Sequence, residues 1–450
     1  MHTMKLWEKG YKLNQFVENF MTGDDPVLDQ ALVAYDCLGS MAHAQMLAEI
    51  GILTAAECQH LVQELNHIMQ LAEEGKFCIQ AEDEDVHTAV ENALVKALGD
   101  VGKKLHTARS RNDQVLLDLR LYMKNQILLI SKEVLNTCEI LCAFAKAHRH
   151  IPVPGRTHFQ RAMPSSIGLW AGALAESLLD DMHLLEGSFA LINQCPLGSA
   201  ASYGVSLPID RQYCAELLGF QSVQNNVLYA NNSRGKFEAA VLHVLVQIMN
   251  DLSKMATDLI IFSAPEFGYV ILPEKFCPGS SLMPQKRNPC PLELIRAKSA
   301  VLQGLLLQTL EIVRTLPSGY HRDFQETKRP LMQGLEITHL SLKVFSQIFA
   351  ELQIDQEACI KAFTPELFAT DQVLRLTCEG VPFREAYQQV AKNPSHVSEV
   401  DPVANILAKQ HLGATGNLGI GLSDAKLETY QKWVDSEIKK WDEVLERLLP

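Results

Sequence analysis

Apolar positions along this chain recur at helical spacing in a few very long runs, and the polar breaks between the runs hold the informative residues. From Asn112 to His150 there is neither glycine nor proline. Leu116, Leu117, Leu121, Ile127, Leu128, Val134, Leu135, Leu141 and Phe144 cover more than one narrow stripe of that helix. A helix of nearly forty residues is about 55 Å long at about 1.5 Å per residue. So broad an apolar surface predicts neighbours on several sides, including helices of other subunits. Pro152 and Pro154 end the run. Further long helices are predicted after Pro164 to about Gln194, from about Ser233 to Phe262, from about Leu292 to Leu316 and from about Gln325 to Leu352. Glycine-, proline- and serine-bearing loops separate them at 195–208, 264–291 and 317–324. No sustained two-residue alternation of β-branched residues occurs, which argues against a sheet of any size. The expectation is an all-α chain built on a central bundle of five long helices.

Around the bundle the pattern changes twice. Residues 1–105 read as a helical N-terminal domain in which Thr54 and Glu57 have the spacing of a capping box. The acidic run Glu82-Asp83-Glu84-Asp85 precedes His87 at a helix start, where it either complements the helix dipole or places His87 near a site. Residues 106–362 form the bundle domain, and residues 363–450 form shorter helical pieces ending in an amphipathic helix from Ser423 to Leu449.

Composition narrows the function. A formal net charge of -13 at pH 7 argues against general nucleic-acid binding, which needs a basic face. Met1 to Lys9 lacks the apolar segment of a signal peptide, and no run of 18 apolar residues occurs, so a cytoplasmic protein without a membrane partner is expected. The 11 cysteines show no repeated C-x-x-C spacing and read as buried free thiols, with no metal role.

Three polar clusters stand at the helix boundaries. The first, His106 to Gln114, carries Arg109, Ser110, Arg111 and Asn112 just before the longest helix, where N–H groups and arginines suit an anion. The second, Pro154 to Pro164, carries Thr157, His158 and Gln160 just past its end. The third is the loop Gly279-Ser280-Ser281-Leu282-Met283-Pro284-Gln285-Lys286-Arg287-Asn288-Pro289, where hydroxyls, a lysine and unclaimed N–H groups lower the cost of negative charge on oxygen. Glu293 follows it, placed to tune a histidine from elsewhere. The first two clusters are separated by the length of the helix, about 55 Å. They serve one site only if chains associate and share it.

The third cluster resembles the signature loop of the fumarase/aspartase superfamily, G-S-S-x-M-P-x-K-x-N, with seven fixed positions. Within it the chain is most similar to the branch that cleaves argininosuccinate. The likeness includes Lys104 to Gln114, Thr157-His158-Phe159-Gln160-Arg161-Ala162, Pro196-Leu197-Gly198, and Leu316-Pro317-Ser318-Gly319-Tyr320 with Asp323, Gln325 and Lys328. Gly380 to Ala386 extends it into the last domain. The resemblance implies a three-domain lyase that assembles as a homotetramer around a larger helical bundle and eliminates fumarate from argininosuccinate, leaving arginine, without a cofactor. It also implies the roles. Ser280 is the base and His158 supplies or relays the proton, although the two parts are interchangeable on sequence alone. Glu293 tunes the histidine, and Lys286 and Asn288 hold the substrate carboxylate. Asn112, Thr157, Tyr320, Gln325 and Lys328 contact substrate, with Ser110 and Arg111 as neighbours.

Three places depart from the family pattern. Counted without gaps from Leu6-Trp7, Gly23-Asp24-Asp25 stands where many members carry a substrate-contacting serine. The segment Ser233-Arg234-Gly235-Lys236 replaces S-D/E-R-D and moves basic charge toward one wall of the site, and Cys290 follows Asn288-Pro289. Two other functions compete with the first: a sister lyase releasing fumarate from adenylosuccinate or aspartate, and a non-catalytic, crystallin-like helical oligomer. Retention of Ser280, Lys286 and His158 weighs against the scaffold.

Overall fold

The computed structural model describes residues 14–80, 82–396 and 400–450. The stretch Met1–Lys9 and the Leu6-Trp7 reference point lie outside them. Near the N-terminus three helices pack together: α1 (Val33–Glu49), α2 (Ala55–Glu73) and α3 (Val86–Leu98). The capping box that opens α2 is formed: Glu57 N donates to Thr54 Oγ1 at 3.2 Å and Thr54 N donates to Glu57 Oε2 at 2.9 Å. Asp85 opens α3 by accepting from Thr88 N at 2.9 Å.

The long run is one helix, α4 (Arg111–Ala147), with Ser110 and Asp113 as its capping box. An antiparallel pair follows, β1 (Pro152–Thr157) and β2 (Gln160–Ser166). Then come α5 (Ile167–Ile192), α6 (Lys236–Ser263), α7 (Cys290–Val313) and α8 (Lys328–Ala350). The five long helices form the expected bundle: α5 and α8 pack on α4, α6 packs on α5, α7 and α8, and α7 packs on α8. Gly334 lets three of them meet, since a Cβ there would stand 2.5 Å from Leu242 Cδ2 and 2.9 Å from Leu302 Cδ1. The final helix, α9 (Ile420–Leu448), lies back along α4 and α5. Its Trp441 packs on Tyr35 and its Trp433 on Phe189, with ring centroids 6.2 and 5.7 Å apart.

The structure corrects two expectations. The stretch 152–166, read as a loop, is a β-hairpin; three prolines masked it, and Gly155 marks the irregularity in its register. Its two-residue turn is His158-Phe159, both at positive φ (53° and 60°), the sign that primed hairpin turns require. The cysteines are free, but Cys78 and Cys378 are exposed rather than buried. Two-residue pairings at 194–195 with 222–223 and at 270–271 with 353–354, and an isolated bridge between Ala414 and Asn417, complete the β-structure among the described residues. No helix among them is long and apolar enough to cross a membrane.

Candidate functional site

The first turn of α4 is fixed by its own cap. Ser110 N donates to Asp113 Oδ1 at 2.9 Å and Asn112 N to Ser110 Oγ at 3.3 Å. The second oxygen of Asp113 accepts from Gly198 N at 3.0 Å and Ala200 N at 2.9 Å. One buried carboxylate thus joins the first cluster to the Pro196-Leu197-Gly198 segment. Burial pushes the Asp113 pKa up, against the pull of those N–H groups and of Arg109.

Beside this turn lies a cavity of about 170 Å³, walled by Asp25, Asn112, Arg234, Tyr320, Gln325 and Lys328 among others. Most of its charges are paired. Lys328, 3% exposed, reaches Asp25 and Asp29 at 2.6 Å each. Arg111 pairs with Asp85, and Arg322 with Glu84 at 3.2 Å. Gln325 Nε2 donates to Met21 O at 3.0 Å and Thr22 O at 3.3 Å. The Asp25 carboxylate is therefore accommodated by Lys328; burial nevertheless raises its pKa. Arg234 does line the cavity, buried, whereas Lys236 turns away to the hydroxyl of Tyr229 at 3.2 Å. The arginine pair expected to offer an anion site is otherwise engaged, Arg111 with acids and Arg109 with Ser40 Oγ at 2.9 Å.

His87 also reaches this cavity, and a buried acid pair stands behind it. Its Nδ1 is 2.6 Å from Asp36 Oδ2 and 3.7 Å from Asp118 Oδ2. Burial alone would make the imidazole neutral, but the hydrogen bond and charge of Asp36, with Asp118 behind it, outweigh burial and raise its pKa. For Asp36 burial is outweighed by the His87 contact together with Arg109 and Asp118, and the pKa is lowered. Asp118 goes the other way, well above the usual range, because it is buried next to Asp36. These surroundings favour charge on the His87–Asp36 pair and a proton on Asp118. These three are the one group among the described residues spaced to take a metal ion, and a shared proton accounts for that spacing equally well.

The other two clusters are built differently. Thr157 and His158 are exposed at the hairpin turn, and Phe159 beside them is 72% exposed. The hairpin packs against 356–361, 365–368 and 402–408, beyond the far end of α4. The serine loop is closed at its neck by Asn288 N donating to Pro278 O at 3.0 Å and Asn288 Nδ2 to Gly279 O at 3.2 Å. Inside it, Met283 N and Leu282 N donate to Ser280 Oγ at 3.1 and 3.3 Å. Two N–H dipoles directed at that oxygen favour negative charge there. Lys286 is exposed, and Glu293 lies exposed in the first turn of α7.

Within one chain, then, Ser110, Arg111, Asn112, Tyr320, Gln325 and Lys328 come together, while Thr157 and His158 stand apart from them past the other end of α4. Sequence reading missed Asp29, Glu84 and Arg322 as cavity residues. For Glu84 the acidic run gave a signal; for Asp29, whose partners Val86 N and Lys328 lie 57 and 299 residues away, none was available.

Comparison with known proteins bears on the family and the fold. The signature of a family described as Lyase matches residues 14–304. Argininosuccinate lyase of Thermotoga neapolitana is 45% identical over 388 residues, covering 86% of this chain and 98% of its own. That of Sorangium cellulosum is 43% identical, covering 93% and 97%. Among solved structures, EDDS lyase in complex with formate superimposes with a TM-score of 0.82 at 23% identity over 98% of this chain and 95% of its own. Recombinant class II fumarase from Schistosoma mansoni gives 0.72 at 14% identity over 90% and 97%. The fold likeness and the sequence likeness converge: the chain belongs to the argininosuccinate lyase family of the fumarase/aspartase superfamily.

Proposed function

We propose that the protein cleaves argininosuccinate into fumarate and arginine by cofactor-independent elimination, acting in the cytoplasm as a homotetramer whose sites are shared between chains. The observation that carries this reading is the serine loop, where Ser280 Oγ already accepts two backbone N–H groups.

Elimination removes a proton from the carbon next to a carboxylate, and the resulting carbanion spreads its charge into that carboxylate. Ser280, with its oxygen stabilised as an anion, takes the proton. Lys286 and Asn288 hold the doubly charged carboxylate. His158 then delivers a proton to the departing guanidinium nitrogen, with Glu293 tuning the imidazole. Asn112, Thr157, Tyr320, Gln325 and Lys328 grip the substrate, backed by Ser110 and Arg111. The cavity's paired acids and bases suit a ligand carrying both carboxylates and a cation.

Association is supported by two features. The length of α4 separates the first two clusters by about 55 Å. In addition, Leu294, Val301, Leu307 and Leu310 are exposed along α7, apolar surface that a second copy would cover. The sister-lyase and scaffold readings have no observation in their favour, and the relatives at 42–45% identity share one name.

The test is fumarate formation, followed by ultraviolet absorbance, from argininosuccinate, adenylosuccinate and aspartate in parallel. Turnover of argininosuccinate alone is expected. Turnover of another of the three instead, or of none by a folded oligomer, would overturn the reading.

A further inference from the structure

The wall of the cavity that carries Tyr320 is held from behind by a residue with no role so far. Asn232 ends the helix Val227–Asn232 and uses both ends of its side-chain amide on one turn. Its Oδ1 accepts from Gly319 N at 2.8 Å, and its Nδ2 donates to Ser318 Oγ at 3.3 Å. Gly319 has φ 101°, a conformation that glycine adopts without strain and other residues do not. A turn with that freedom needs a fixed contact to hold one orientation, and the residue after it is Tyr320.

A second, independent contact supports the same wall from the same segment. Arg234, two residues after Asn232, is buried in the cavity lining, and its guanidinium carbon lies 6.0 Å from the centroid of the Phe324 ring. The Phe324 ring lies 6.1 Å from that of Tyr320. One support thus reaches the backbone before Tyr320 and the other reaches the ring beside it.

We propose that Asn232 is a positioning residue for substrate binding: its amide fixes the Ser318-Gly319 turn so that the Tyr320 phenol is held at the cavity wall before substrate arrives. This rests on the reading of Tyr320 as a substrate contact in the lyase reaction. Without the clamp the turn samples other orientations, and ordering it becomes part of the cost of binding. That cost falls on KM while the serine loop and hairpin keep their chemistry.

The experiment is a double-mutant cycle in the full-length, assembled enzyme with argininosuccinate as substrate. Asn232→Ala should raise KM about 5–10-fold, the worth of one hydrogen bond to a backbone N–H, and leave kcat within about twofold. Asn232→Asp, which keeps the acceptor for Gly319, should restore much of the loss. In a Tyr320→Phe background, Asn232→Ala should change KM by less than about twofold, because the phenol it positions is already gone. Unchanged KM in Asn232→Ala, a fall in kcat alone, or an equal effect in both backgrounds would overturn the proposal. If Asn232→Ala assembles poorly, Asn232→Gln in the same cycle carries the test, since its longer amide displaces the turn without removing the polar group. Absence of turnover in the unmodified enzyme would be a different failure, removing the lyase reading itself.

Discussion

At the N-terminal end of α4 nearly every charge around the cavity has a partner in the same chain, whereas at the hairpin and the serine loop the polar side chains face outward. Lys328 sits between two carboxylates, Arg111 and Arg322 are held by acids, and His87 is locked on Asp36. Thr157, His158 and Lys286 are exposed. The difference teaches which half of the site a single chain can preorganise. Buried pairs hold their geometry because separating them would strand a charge in a medium of low polarity. An exposed hairpin turn and a loop closed only at its neck acquire a fixed environment when another chain or the substrate supplies it.

Ways to break this comparison begin with the exposed half, where the largest effects on turnover are expected. Ser280→Ala and His158→Asn should each lower kcat by about 10³-fold or more, with assembly and melting temperature unchanged, because neither side chain supports the core. Activity retained in the serine variant, measured as fumarate release, would remove the loop from the mechanism.

Stability effects should come from the buried half. Asp36→Asn leaves His87 without its counter-charge and should cost about 3 kcal/mol in denaturant unfolding. Asp118→Asn keeps the shape of a side chain whose charged form burial and Asp36 already disfavour, and should cost less than about 1 kcal/mol. The signs of the pH dependence differ within this cluster. The lowered Asp36 pKa contributes stability above its unfolded value, lost as pH falls through the folded one. The raised His87 pKa contributes stability below its unfolded value, lost as pH rises through the folded one. Stability measured against pH should therefore fall on both sides, and Asp36→Asn should flatten both limbs.

A smaller effect is expected at Asp181 on α5, where burial first, then Asp251 and Asp180, raise the carboxyl to about 8. A carboxyl whose folded pKa lies above its unfolded value loses stability as pH climbs between the two. Asp181→Asn should raise the melting temperature at pH 8 more than at pH 5; equal shifts would contradict the assignment. The smallest and most local change is in hydrogen exchange. Substrate or fumarate should slow exchange in 279–289 while leaving the middle of α4 unaltered. Equal protection of the loop with and without ligand would remove the contrast between the two halves.

The long helices were legible because α4 to α8 carry apolar residues over wide faces between glycine and proline breaks. Their ends were read within a few residues. The hairpin was not legible: Pro152, Pro154 and Pro164 speak against strands, yet they fall in a two-stranded ribbon that tolerates missing donors. The serine loop declared itself by composition and by its seven fixed positions. The ion pairs of the cavity did not, because Asp25 and Asp29 meet Lys328 only through the folded bundle. The same holds for His87: the acidic run before it was visible, but Asp36 and Asp118 come from α1 and α4 and are joined to it only by packing.

The central claim, a site divided between chains, is tested most directly by mixing two inactive proteins. Assemblies of Ser280→Ala and of His158→Asn would be dissociated, combined in equal amounts and reassembled, and argininosuccinate cleavage would be measured on verified hybrids. If Ser280 and His158 of one site come from different chains, about a quarter of the sites inherit both intact residues and activity returns to about that fraction. Hybrids as inactive as their parents would place both residues of each site in one chain and contradict the account.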